Sequence, residues 1–269
     1  MQENRYLPDS GRLSIVTAMV LLAYSTAAFI HIPENSITIQ FPGFLFVANI
    51  NFFTIVSILV SGMAAAGSDW VIAGHPHLRE EKRWRHLLLP ALTALVIGVP
   101  LNEIAVSAAW WVIFAMGGLL FVVVLVSEYI SVDRRDVLFP LSIVSLTVVS
   151  MVLFLILAIT LRGAGFRLYV VLSAIVPAVT LFCARTLNLR IPDKRLIPWM
   201  VTITLIIAQA AICLFYFPIK PIPFGLILLG LVYALTSLAA NFEENETAGK
   251  LWIEPTLAFS MFFILSFLL

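Results

Sequence analysis

Residues 67–85 read GSDWVIAGHPHLREEKRWR, and four of the last seven, Arg79, Lys82, Arg83 and Arg85, are basic. On either side the chain turns apolar, over 43–66 before the segment and over 86–102 after it. A short basic segment between two such runs marks a cytoplasmic loop joining two membrane spans. Each span must be helical, because hydrocarbon offers an open backbone no hydrogen-bond partner.

Working outward from this loop, the same alternation organises the whole chain. Nine apolar stretches can be drawn, at 13–32, 43–66, 86–102, 108–130, 137–161, 167–186, 197–216, 223–240 and 251–269. Counted over the segments between them, the Lys and Arg residues fall thirteen on one side and three on the other. The richer side includes the N-terminal segment with Arg5 and Arg12, so the N-terminus is expected to be cytoplasmic and the C-terminus outside. Arg162 and Arg167 are a local exception on the outer side, where pairing with Glu34 or Glu103 is expected to hold them.

Composition agrees with this reading. Apolar residues make up 61% of the chain and charged residues 12%, against about a quarter charged in soluble domains. The expected fold class is all-α, a polytopic bundle of about nine transmembrane helices forming one transmembrane domain over residues 1–269. No gap is long enough to fold as a soluble domain. The first apolar run is longer than a signal-peptide core and should be retained as a span. A multi-pass protein of a cell membrane, of the bacterial inner-membrane type, is the expected setting.

Net charge is +1, and the basic residues are sorted by membrane side rather than gathered into a patch. That distribution excludes a nucleic-acid surface. The expected partners are membrane lipids, together with other membrane proteins or further copies of the chain. Cys183 and Cys213 fall near opposite ends of their spans, too far apart for a disulfide. Gly62 and Ala66 form a small-xxx-small pair suited to close helix contact, and the adjacent Gly117 and Gly118 are a second small-residue cluster expected to make one. Pro177 falls in mid-span and is expected to kink its helix. Segments 67–85 and 187–196 each carry a Lys-Arg pair, Lys82-Arg83 and Lys194-Arg195, which suggests a repeat of four helices with the ninth appended.

Chemistry-bearing residues are few. Asp69, His75 and His77 lie within a few residues of one another, and two imidazoles across a Gly-His-Pro-His turn with a carboxylate nearby have the donor set of a metal site. Glu80, Glu81 and Arg85 spell EExxxR, similar to the first motif of the CAAX-type intramembrane metalloproteases. No histidine follows His86, so the set that family needs is incomplete. No lysine falls inside a span, which excludes a retinal Schiff base. The four histidines do not pair at one depth within the membrane, which speaks against haem, and no cofactor is expected. Glu128, Glu254 and Arg185 are assigned to inner helix ends, where long side chains can reach water.

Asn49, Asn51 and Gln209 are uncharged polar residues within the assigned spans. They have two readings, an outward-facing pocket for a neutral ligand or hydrogen bonds between helices. Without a catalytic set, the expected function is that of a non-catalytic membrane component, a scaffold or accessory subunit. The alternatives are a transporter or flippase-like protein for a neutral or lipidic molecule, and an enzyme acting on a lipid-linked substrate at the cytoplasmic face.

Overall fold

The computed structural model describes residues 7–30, 35–41, 44–50, 52–75, 86–133, 136–190, 196–244 and 248–268. Among them are nine helices and one hairpin. The helices are α1 (Ser10–Phe29), α2 (Phe52–Ile72), α3 (Leu88–Glu103), α4 (Ala108–Ile130), α5 (Phe139–Gly163), α6 (Leu168–Arg190), α7 (Ile197–Tyr216), α8 (Pro221–Glu243) and α9 (Ala248–Leu268). Eight are long and apolar enough to cross a membrane, and α3, at 16 residues, is the shorter exception. The protein is a polytopic membrane helix bundle.

Six of the assigned spans lie within a few residues of their helices, and α6 and α9 differ only by modest extensions. The second span is the exception. Residues 43–66 do not form one helix: β1 (Asn35–Phe41) and β2 (Phe44–Ile50) pair as an antiparallel hairpin, with Asn35 opposite Ile50 and Phe41 opposite Phe44. The physical reason lies in Phe41-Pro42-Gly43-Phe44. Pro and Gly punctuate two runs rich in β-branched and aromatic residues, which is the sequence signal of a hairpin. Hydropathy alone cannot distinguish such a strand from the start of a helix. The helix therefore begins at Phe52 and runs to Ile72, carrying Asp69 out of the assigned loop and into its last turn.

The chain divides into two compact units at Leu146 and Thr147, inside α5. In the first unit α1 to α4 pack in chain order and α4 returns to α1. Tyr24, Trp110 and Phe121 are buried at the centre of this packing. The Tyr24 hydroxyl donates to the Ala94 carbonyl at 2.7 Å, and Trp110 Nε1 donates to the Leu101 carbonyl at 3.1 Å. Buried aromatic polar groups need such partners in an apolar interior. Ser107 caps α4, its hydroxyl accepting from the Trp110 N–H.

In the second unit α8 is the most enclosed helix, packed against α6, α7 and α9. A Cβ at Gly225 would approach Ile159 of α5 to 2.9 Å, and one at Gly230 would approach Phe262 of α9 to 2.8 Å. Both glycines allow a neighbouring helix to come close. The hydroxyls of Thr180 and Thr204 meet at 3.2 Å between α6 and α7. α6 continues as a helix through Pro177. Cys183 is buried, Cys213 is exposed, and both are free thiols.

Candidate functional site

At one end of the first unit, α4 and the turn leading into α3 bring together three polar side chains. Glu128, in the last turn of α4, has no exposed side-chain surface, and its Oε2 lies 2.8 Å from His86 Nδ1. The Ser131 hydroxyl donates to the Glu128 carbonyl at 2.9 Å and lies 3.4 Å from the same carboxylate oxygen. The expectation that Glu128 reaches water therefore needs correction. The last turn of α4 points it inward, toward the imidazole that enters with α3. The His86 side chain keeps 17% exposure, so the pair has a buried acceptor and a partly wet imidazole.

Close by in sequence, His75 is buried and its ring meets Tyr129 edge-on at 4.8 Å. Arg12 from α1 donates to the Trp70 carbonyl at 3.0 Å and stacks over the Trp70 ring at 5.3 Å. Of the residues suited to metal, Asp69 is in the last turn of α2, His75 packs on Tyr129, and His77 lies outside the described residues. Among the described residues no three His, Cys, Asp or Glu side chains gather closely enough to hold a metal.

The second unit has its own polar cluster, on three helices. Arg190, at the end of α6, donates to Asn241 Oδ1 of α8 at 3.0 Å and to Glu254 Oε2 of α9 at 3.3 Å. Its Nε lies 3.6 Å from Glu244. The Tyr233 hydroxyl donates to the other Glu254 oxygen at 3.2 Å. The sequence pointed to Glu254 only as an end residue, since nothing in residue spacing links Arg190 to a helix more than sixty residues on. Arg162 donates to the Phe217 carbonyl at 3.0 Å and lies over the rings of Phe215 and Phe224, a carbonyl and two ring faces that stabilise a guanidinium. Glu34, one of the two acids expected to pair with it, lies outside the described residues.

Asn49 sits on β2 opposite Ser36, and Asn51 lies outside the described residues. Gln209 is exposed on α7. The small residues separate into two groups. A Cβ at Gly67, Gly98, Gly117 or Gly118 would come within about 3 Å of a side chain on another helix, respectively Val16, Ser57, Ile97 and Leu21. At Gly62 a Cβ would meet nothing within 4 Å. Gly62 and Ala66 are both exposed, on a face of α2 that continues through Ile55, Ile58 and Leu59.

Residues 32–269 match the model of a family described as a protein of unknown function (DUF5656). No curated protein and no solved structure matches the chain.

Proposed function

The chain belongs to the DUF5656 family, and for it we propose a non-catalytic role, that of a scaffold or accessory subunit whose α2 receives a helix of a partner membrane protein. One observation carries this reading. The other interhelical glycines of the first unit are each matched by a close neighbour, whereas Gly62 faces open space. Glycine within a helix costs up to about 1 kcal/mol relative to alanine. A close neighbour offsets that cost at Gly67, Gly98, Gly117 and Gly118, and a helix from outside the chain would offset it at Gly62. Ala66 lies one turn further along the same face, so the pair has the small-xxx-small spacing of close membrane-helix contacts.

The setting of this role is a cell membrane of the bacterial inner-membrane type, with the N-terminus cytoplasmic, as the distribution of basic residues supports. The transporter alternative would draw on Asn49, Asn51 and Gln209. The exposure of Gln209 favours a contact outside the chain over a pocket within the second unit.

The test is photo-crosslinking in membranes, with a photoreactive phenylalanine analogue in place of Ala66. A discrete protein adduct is expected, and Gly62→Leu should remove it without lowering the thermal stability of the purified chain. Adducts to lipid alone, or a protein adduct indifferent to Gly62→Leu, would sink the reading.

A further inference from the structure

α7 turns Ile203, Thr204, Ile207 and Ala211 inward, where all four are buried. The opposite side carries Thr202, Ile206, Gln209, Cys213 and Tyr216, all exposed. Their spacing is four, three, four and three residues, which is the 3.5-residue repeat of a helix–helix seam. Gln209 is the middle member. It lies seven residues from the end of α7 at Tyr216, about 10 Å of helix at 1.5 Å per residue, and so within the hydrocarbon.

Among the described residues Gln209 has no hydrogen-bond partner. Its neighbours Leu205 and Ile206 are apolar and exposed at 58% and 40%, as lipid-facing or helix-facing side chains would be. An amide facing hydrocarbon alone is unfavourable. A partner beyond the second unit that supplies both a donor and an acceptor would satisfy it, because the amide presents both.

We propose that this face of α7 docks a second copy of the chain, with the two Gln209 amides hydrogen-bonded to each other across a two-fold axis along the membrane normal. The choice of occupant follows from self-complementarity. Two copies inserted with the same sidedness place their α7 helices parallel, and a two-fold axis then sets each Gln209 opposite its equivalent. Each amide carbonyl accepts from the other amide N–H, as a symmetric interface requires of a residue on its axis. Other members of the seam meet their own equivalents in the same way. Cys213, one turn beyond Gln209, therefore faces Cys213 of the second copy.

That arrangement supplies its own probe, since Cys183 is buried and Cys213 is the exposed thiol. Membranes holding the full chain are treated with copper phenanthroline and analysed without reductant. A crosslinked dimer is expected for the natural sequence and for Cys183→Ser, and none for Cys213→Ser. Gln209→Leu should weaken association about tenfold, within the range of one strong intramembrane polar contact, as read by energy transfer between labelled copies in bilayers. Gln209→Asn should retain part of it. Monomers in bilayers, no Cys213 crosslink, or dimerisation unchanged by Gln209→Leu would each overturn the proposal. The α2 reading stands apart from it: Gly62→Leu should leave the Cys213 crosslink intact, and Gln209→Leu should leave the Ala66 adduct intact.

Discussion

Glu128 Oε2 and His86 Nδ1 are 2.8 Å apart, with the carboxylate fully enclosed and the imidazole partly wet. The contact ties the end of α4 to the entry of α3 through two residues 42 positions apart in the chain. Removing the imidazole takes one charge-assisted hydrogen bond from the buried carboxylate, worth roughly 1.5–3 kcal/mol, and leaves it the Ser131 hydroxyl at 3.4 Å. His86→Ala is therefore expected to destabilise the purified protein by about 2 kcal/mol. Glu128→Gln keeps a hydrogen-bonding group and should cost about 1 kcal/mol. Thermal or denaturant unfolding in detergent reads the difference, and a silent His86→Ala would show that the pair does not hold these elements together.

Gly98 and Gly62 should respond to the same substitution with opposite signs. A Cβ at Gly98 would lie 2.6 Å from Ser57 Oγ and 2.8 Å from the Tyr24 hydroxyl, so neighbours on two helices must shift. Gly98→Ala is expected to cost about 1–3 kcal/mol, as overpacking does. At Gly62 the space is open, and in the purified chain Gly62→Ala should be neutral or stabilise by up to about 1 kcal/mol. Unfolding midpoints moving in the same direction would contradict this division of the glycines.

The contrast between those glycines marks what the sequence could and could not convey. Hydropathy and sorted charge locate eight of the nine helices, since length and apolarity are the conditions for crossing a bilayer. They fail at 43–51 because an apolar strand and an apolar helix have the same composition, and the Pro42-Gly43 signal carries the difference. The small-residue pairs are legible as contacts, yet residue spacing cannot show which face of a helix turns outward. The same holds for Glu128. Its place near a helix end suggested access to water, and the turn of α4 decides its burial.

Arg190 and Glu254 test how far a partly exposed pair contributes. Their side chains are 35% and 42% exposed, so solvent screens the charge and coupling should be about 1 kcal/mol or less. A double-mutant cycle with Arg190→Ala and Glu254→Ala measures it. Arg190→Lys should recover little, because one ammonium cannot replace the several directed N–H donors that reach Asn241, Glu254 and Glu244. Coupling of several kcal/mol would instead indicate that this cluster is shielded from water in the membrane.

Topology turns on α3, whose 16 residues reach only about 24 Å, against about 30 Å of hydrocarbon. Nine crossings divide the Lys and Arg residues thirteen to three. Leaving α3 out of the count reverses every later segment and reduces the division to nine to seven, which is hardly any sorting. The sorting of charge thus predicts that α3 crosses, with the bilayer thinned or the flanking residues reaching outward to accommodate a short span. Single cysteines in a Cys213→Ser background check this with an impermeant thiol reagent on intact cells. Ala73 is the suitable inner position, being exposed just beyond α2, whereas Ser68 is buried. A cysteine at Ser36 or Val106 should label, and one at Ala73 or Val137 should not. Labelling at Val137 without labelling at Val106 would mean that α3 turns back instead of crossing, and the orientation of every helix after it would be reversed.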